Sequence, residues 1–537
     1  MRSVLVFVLG ACFVCSPTPG AAQGVTRALR ARLDTARRDP AQERLVRVYE
    51  GREYRPAWMG RRTATARAAE LVRQIDQSRA DGLDPNDYHT GALRALLGRR
   101  LSADSLALLE LRLTRTVFAY GSDLARGRID PAAANSLWTR APNSLDWVAA
   151  IRAVLDTGSV ATALAVLAPP QPQYTRLREA LARYRALAVA GGWAAISRGP
   201  DLAPGSTGER VRALRLRLER EGDLPSGAGT DDAFDSAVED AVLGFQARHG
   251  LAADGVVGAA TLAALNVPAA RRVRQIELNL ERWRWLPRQL GDRYVMVNSA
   301  AFTLEVRDHG SRVIEMPVIV GRPDWPTPIA SGRISALVFS PVWDIPPTIA
   351  SQEVVPLIRN DTTYIARHGI TVFRDSANAL LPVDPVTVDW STVTESTFTL
   401  RLKQASGYDN PLGAVKAVFG SRFNVCLHDT PVRASFQERV RTFSHGCVRV
   451  ARAAELATYL LNDSLRWSGD SVRAKMTAPP PAREEPVRLA EAVPAYLTYW
   501  TAWVEDDGSV QFRDDVYGWD RQLAAAIAAR SRPPEAP

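Results

Sequence analysis

Up to about residue 285 the apolar residues of this chain recur every third or fourth position. Past Arg282-Trp283-Arg284-Trp285 they recur in short, partly alternating, β-branched runs. A helical period cannot sit in a sheet, nor an alternating one in a helix, so this break rules out a single uniform layer. At 537 residues the chain also exceeds what one core supports, and three or four modules are expected. The fold class that follows is multidomain α+β, helical first and mostly β afterwards.

The helical part divides in two. Residues 23–195 read as a helical scaffold, with runs such as Ala66–Ile75 and Leu106–Leu113 placing apolar side chains three and four apart. Gly82-Leu83-Asp84-Pro85 and Ile129-Asp130-Pro131 interrupt it. No residue cluster in this region carries chemistry. A Gly/Pro-rich joint from Gly191 to Gly205 then opens a compact module over 200–270, whose apolar positions make a small three-helix core. Its Phe245-Gln246, His249-Gly250-Leu251, Asp254-Gly255 and Thr261-Leu262 punctuate the helices, and His249 reads as a turn or packing residue.

From 290 to 475 the strand pattern dominates: Tyr294–Asn298, Phe302–Val306, Val313–Met316, Val318–Val320, Ile334–Phe339 and Phe423–His428. An insertion at about 347–410 shows a helical stretch near Glu353–Arg359 and little regular pattern afterwards, and is read as a lid. Residues 453–461 read as a helix whose N-terminus would favour a thiolate if it pointed at one. The tail, 485–530, reads as a hairpin with an Asp507-Gly508 turn, followed by a helix.

Chemistry concentrates in the β part. Phe443-Ser444-His445-Gly446-Cys447-Val448-Arg449 lies just downstream of Leu427-His428-Asp429-Thr430-Pro431. The chain has six histidines, and two of them flank one cysteine. A thiol with an imidazole to take its proton and a glycine to admit a carbonyl is the minimum kit for acyl transfer through a cysteine. Cys447 is the candidate nucleophile and His428, at a strand end, the candidate general base. No metal is expected, because there is no Cys-x-x-Cys or His-x-x-x-His spacing and one Cys with two His leaves a tetrahedral site short of a ligand. Cys426 and His428 are two apart on one strand, so their side chains share a face. If that face carries Cys447, a Cys426–Cys447 disulfide becomes a geometric option wherever the Cα atoms approach within about 7 Å.

The first residues address the compartment. Met1-Arg2-Ser3, an apolar run from Val4 to Cys15 and the small residues Gly20-Ala21-Ala22 read as a secretory signal over 1–22, with the lipidation-like Leu9-Gly10-Ala11-Cys12 as the weaker reading. No later stretch approaches membrane-spanning length, so no permanent span is expected. The formal charge of +9 is nearly all arginine; it suits a polyanionic neighbour and is equally explained by GC-rich arginine codons, so charge alone decides nothing. No basic run interleaved with aromatics points to nucleic acid.

Together, His428 with Ser444-His445-Gly446-Cys447-x-Arg449 resembles the signature of the L,D-transpeptidases with a YkuD-type catalytic domain. The motifs Asn410-Pro411-Leu412-Gly413, Trp325-Pro326-Thr327-Pro328 and Trp343-Asp344-Ile345-Pro346-Pro347 are similar to the large YcbB-like periplasmic subgroup. The module at 200–270 resembles the three-helix peptidoglycan-binding domain.

The resemblance implies a scaffold, a wall-binding domain and a lidded catalytic domain in the periplasm of a Gram-negative bacterium. It implies 3-3 peptidoglycan cross-links formed through a thioester with a tetrapeptide stem, without metal or organic cofactor. Peptidoglycan, both stem peptides and glycan, is the implied partner, with other cell-wall enzymes as further candidates. His445 and the N–H groups of Gly446 and Cys447 are then candidates for oxyanion stabilisation, and the Asp429 carbonyl for orienting His428. Ser444 would shape the turn, and Arg449 would either grip a substrate carboxylate or form an internal salt bridge. The competing readings are an L,D-carboxypeptidase or endopeptidase using the same residues, and a noncatalytic wall-binding scaffold.

Overall fold

The computed structural model describes residues 20–36, 39, 42–141, 145–156, 158–376, 379–463, 465–480 and 484–530. The proposed signal therefore lies almost wholly outside the described residues. Among those residues no helix is long and apolar enough to cross a membrane. The chain forms two units, one holding the described residues up to Arg126 and within 144–169, the other those of 127–143 and from Pro170 onward.

The first unit is helical. Its longest helix, Ala103–Arg126, buries Leu106, Leu109, Leu113, Val117 and Leu124 along one stripe against Leu29, Leu33, Val48, Leu71 and Ile75. The Gly82–Pro85 break starts a short helix as well as ending one: Gly82 takes φ 70°, and Asp84 accepts the Asn86 N–H at 3.0 Å ahead of Pro85. The unit ends earlier than the expected scaffold, because helix Pro172–Val189 packs in the second unit against helix Ala269–Trp283.

In the second unit, helices Glu209–Glu221, Ser236–Arg248 and Ala259–Leu265 close around Val211, Leu214, Leu218, Val242 and Phe245. Gln246 explains the Asp254-Gly255 turn: its amide donates to Asp254 Oδ1 at 2.7 Å and its carbonyl accepts the Gly255 N–H at 2.9 Å, with Gly255 at φ 73°. His249 lies flat on Phe245, 3.8 Å between ring centroids, and burial keeps it neutral. Its surroundings are those of a packing residue.

The strands are β1 Arg293–Asn298, β2 Thr303–Asp308, β3 Ser311–Gly321, β4 Ala330–Phe339 and β5 Trp343–Ile345. Then come β6 Ile370–Ser376, β7 Ala379–Val383, β8 Leu400–Gln404, β9 Val415–Gly420 and β10 Leu427–His428. The last are β11 Thr442–Ser444, β12 Val448–Val450, β13 Val487–Thr498, β14 Ala502–Val504 and β15 Val510–Phe512. Nine form one sheet in the order β11-β3-β12-β10-β9-β4-β13-β1-β2.

Two expectations are corrected here. The segment assigned to the tail contributes β13, which lies between β4 and β1 inside the main sheet, parallel to β1. Only β14 and β15 make the expected hairpin, with Gly508 at φ 87°. The insertion is also not irregular after its helices: β5-β8-β6-β7 form a second antiparallel sheet with its own core of Ile345, Ile358, Ile370, Val372, Trp390 and Leu402. Its strands are short, and in β6 the alternation of buried Ile370 and Val372 with exposed Thr371 gives way to exposed Arg374, Asp375 and Ser376.

Candidate active site

Strand alternation builds the site. Leu427 on β10 and Val448 and Val450 on β12 enter the core under the sheet, so Cys426, His428, Cys447 and Arg449 fall on the opposite face. β10 and β12 are parallel neighbours with Leu427 facing Val448 and His428 facing Arg449. Residues 21 apart in sequence thus meet side by side. Helix Ala453–Leu461 packs Leu456, Ala457 and Leu460 into that same core, on the face away from Cys447.

Cys447 Sγ, Cys426 Sγ and a ring nitrogen of His428 lie within 4.8 Å of one another. Both cysteines are free thiols. Their sulfurs stand 3.1 Å apart, and the Cys426 N–H also donates to Cys447 Sγ at 3.2 Å. These are soft donors of the kind zinc takes, yet two thiolates on a tetrahedral zinc would sit about 3.7 Å apart. The shorter separation is that of a thiol pair joined by a hydrogen bond.

His428 is buried, and its Nδ1 meets the Asp429 carbonyl at 2.5 Å. With the proton on Nδ1, Nε2 is the nitrogen left to accept. Burial first and the Arg449 charge second push the His428 pKa down to about 4, so the ring is neutral through the physiological range. The Cys447 thiol is lowered, chiefly by its hydrogen bond from Cys426 and against the effect of burial.

The remaining candidates fall into distinct places. The Asp429 carboxylate does not face the thiol: it accepts the Ala414 N–H at 3.0 Å and an Arg433 N–H at 2.5 Å. It packs so closely on Gly413, at φ 63°, that a Cβ there would come within 2.6 Å of Asp429 Cβ. Ser444 Oγ donates to the Cys447 carbonyl at 2.5 Å and accepts the Gly446 N–H at 3.2 Å, closing the turn in which Gly446 takes φ 103°. The Gly446 N–H is therefore engaged and not free for an oxyanion. His445 is engaged as well: its Nε2 meets Glu353 Oε1 at 2.7 Å, and its ring stands edge-on to Trp325. Arg322 holds the same carboxylate oxygen at 3.2 Å. The backbone N–H of Cys447 is what remains of the expected oxyanion donors. Arg449 forms no ion pair among the described residues, and its buried Nε has no hydrogen-bond partner there.

Sequence reasoning missed four contributors. From the sequence, Cys426 reads only as a disulfide partner. Glu353 comes from the insertion, 92 residues from His445. Thr327 donates to the Gly446 carbonyl at 2.8 Å and accepts the Gly321 N–H at 2.9 Å, fixing the turn from below. Arg433 pins Asp429. Only Cys426 and Thr327 carried a local signal, the first from i, i+2 alternation and the second from the Trp-Pro-Thr-Pro motif. A cavity of about 190 Å³ lined by Trp283, Tyr294, Trp500 and Trp503 includes neither Cys447 nor His428, whereas a cavity of about 10 Å³ among Leu427, Val450 and Leu456 reaches His428.

Residues 292–475 match the family model described as "L,D-transpeptidase catalytic domain", residues 207–265 the one described as "Putative peptidoglycan binding domain", and residues 43–181 the one described as "Scaffold domain". A protein of Haemophilus influenzae described as "Putative L,D-transpeptidase" is 31% identical over 253 residues, 47% of this chain and 49% of the relative. The chain thus spans about half the length of that curated relative. A solved L,D-transpeptidase from Xylanimonas cellulosilytica is 18% identical, covering 56% of this chain and 98% of the other at a TM-score of 0.18. One from Stackebrandtia nassauensis is 15% identical, covering 56% and 96% at a TM-score of 0.20. Superposition at that level carries no structural argument.

Proposed function

We propose, from the premise that this chain carries a YkuD-type L,D-transpeptidase catalytic domain together with a peptidoglycan-binding domain, that it cross-links peptidoglycan through a thioester on Cys447. The observation that carries this reading is the sulfur of Cys447 within 4.8 Å of a ring nitrogen of His428, whose Nδ1 is tied to the Asp429 carbonyl.

The Cys447 thiolate attacks the carbonyl of the third residue of a tetrapeptide stem. Negative charge develops on the carbonyl oxygen, where the Cys447 N–H is the available backbone donor. Collapse breaks the peptide bond to the terminal D-alanine, whose departing amine takes a proton that solvent supplies through His428 Nε2. A side-chain amine of a second stem then attacks the thioester, His428 receives its proton, and a 3-3 link forms as the thiolate is released. Arg449, which has no carboxylate partner of its own among the described residues, is placed to hold a stem carboxylate. The wall-binding module keeps the enzyme on its polymeric substrate, and the wall places the protein outside the cytoplasmic membrane, consistent with the leader read over 1–22.

Mass spectrometry of the protein incubated with a disaccharide-tetrapeptide tests the proposal. It predicts a Cys447 acyl adduct lacking D-alanine and, with acceptor stems, a dimer short of one D-alanine. Shortened stems without dimers would replace transfer by hydrolysis. Absence of any adduct would leave a noncatalytic wall-binding protein.

A further inference from the structure

We infer that Cys426 is a positioning residue for the nucleophile: its S–H and its backbone N–H both donate to Cys447 Sγ and hold that sulfur as a thiolate. The inference rests on the reading of Cys447 as the nucleophile and deepens it.

The geometry is unusual for two cysteines that are not bonded. Sulfur meets sulfur at 3.1 Å, and the amide of the same residue reaches the same sulfur at 3.2 Å. Only one of two adjacent thiols can be the donor, and the environment decides which. The Cys426 thiol is pushed far up, by its bond to Cys447 first and by burial second, whereas Cys447 is drawn down. Cys426 thus keeps its proton and lends it. The groups whose charge acts on Cys447 are Lys416, on β9 opposite His428, and Arg449 on β12, both favouring the anion. His428 supplies no positive charge, because burial and Arg449 keep it neutral.

That last point gives Cys426 its work. In a thiolate–imidazolium pair the histidine's charge stabilises the sulfur anion. Here the imidazole is a poor place to leave a proton, so the anion depends on the Lys416 and Arg449 charges and on the fixed donors of Cys426. An S–H is a weak donor but becomes stronger towards an anion, and it carries no bulk that would block an approaching carbonyl. The register makes the arrangement: Cys426 immediately precedes β10, its carbonyl accepts the Val448 N–H at 2.9 Å, and this link across to β12 brings residue 426 beside residue 447.

The test is the pH dependence of Cys447 alkylation by iodoacetamide in the full-length protein, quantified on the Cys447 peptide so that modification of Cys426 is counted separately. Wild type is compared with Cys426→Ala and Cys426→Ser. Loss of the S–H in Cys426→Ala leaves the backbone donor, so the midpoint is expected to rise by about one pH unit, roughly tenfold less thiolate below it. Cys426→Ser restores a donor and should return most of that shift. An unchanged midpoint in Cys426→Ala overturns the inference, as does an equal shift in both variants, which would assign the effect to packing.

Should Cys426→Ala fail to fold, Cys447→Ala supplies the reciprocal measurement. Without a thiolate to donate to, Cys426 should titrate at lower pH by ultraviolet thiolate absorbance, and an unmoved Cys426 midpoint again overturns the inference. No substrate enters either assay. A protein that forms dimers with an unshifted midpoint sinks this inference alone, and one that shows the shift but no acyl adduct sinks the transpeptidase reading alone.

Discussion

Two buried polar clusters, one in the helical unit and one on the sheet, show how similar materials serve different ends. Glu110 is fully buried, and both its oxygens are satisfied: Tyr49 O–H at 2.7 Å and the Ala57 N–H at 2.6 Å on Oε1, and the Trp58 N–H at 2.9 Å on Oε2. Thr114 completes the cluster by meeting the Tyr49 hydroxyl at 2.6 Å and accepting the Trp58 indole N–H at 3.0 Å. At Cys447 the satisfaction is partial. Orientation is fixed by Asp429, Ser444 and Thr327, while the reacting sulfur and the Arg449 Nε keep capacity in hand. A closed network specifies structure, and one with unspent donors and acceptors can act on a ligand.

The largest effect that would break this contrast is on turnover. Cys447→Ala should abolish acyl-adduct formation, and His428→Gln should slow it by roughly 10³–10⁴-fold, read by dimer yield, with unfolding midpoints little changed. Activity persisting in Cys447→Ala would move the chemistry elsewhere.

Next comes oxidation. Glutathione disulfide should convert the pair to a Cys426–Cys447 disulfide: the Cys447 thiolate takes one glutathionyl group and expels the other as thiol, and Cys426 then displaces the remaining one. The 3.1 Å gap has to close by about 1 Å, to a bond of about 2.05 Å. Intact mass should show loss of two hydrogens and no adduct, and activity should return with reductant. Cys426→Ser should instead retain a glutathione adduct.

In the other cluster the effect should be on stability alone. Glu110→Ala removes the acceptor of the Tyr49 O–H and of the Ala57 and Trp58 N–H groups and should cost about 3 kcal/mol in urea unfolding, while the acylation rate per folded molecule stays at the wild-type value. A catalytic defect there would erase the distinction between the two clusters.

Acid should sharpen it further. His428 has its pKa lowered to about 4 in the fold and has an ordinary value near 6.5 when unfolded. Below about 6.5 the unfolded chain therefore binds the extra proton, and the stability present above that pH is lost progressively as pH falls towards 4. The loss should be on the order of 2–3 kcal/mol, and His428→Gln should flatten that part of the profile. The smallest effect is expected from Arg449→Ala: about a tenfold rise in KM for a stem with a free carboxylate, with less change for one whose carboxylate is amidated.

Much of this was legible in the sequence because its physics is local. The helical period of Leu106–Leu113, the Phe-Gln…Asp-Gly pattern that Gln246 closes, and the alternation that puts Cys426 and His428 on one face need only neighbouring residues to be read. The apolar Leu427, Val448 and Val450 likewise declare which face is core. Where reading fell short, the partner was remote or the alternation weak. In β6 the alternation runs out after Val372, and the roles expected of His445 and the Gly446 N–H gave way to bonds with Glu353 and Ser444.

The sequence by itself determined the change from helix to strand, the wall-module turns and the identities of a thiol and an imidazole suited to acyl transfer. Tertiary structure alone decided that β13 enters the middle of the sheet, that Glu353 from the insertion reaches His445, and that Cys426 comes within 3.1 Å of Cys447. Periodicity and turn chemistry act over a few residues and leave a trace in every short window. Pairing between distant segments is fixed by the combined burial and hydrogen bonding of the whole sheet, which no window of the chain records.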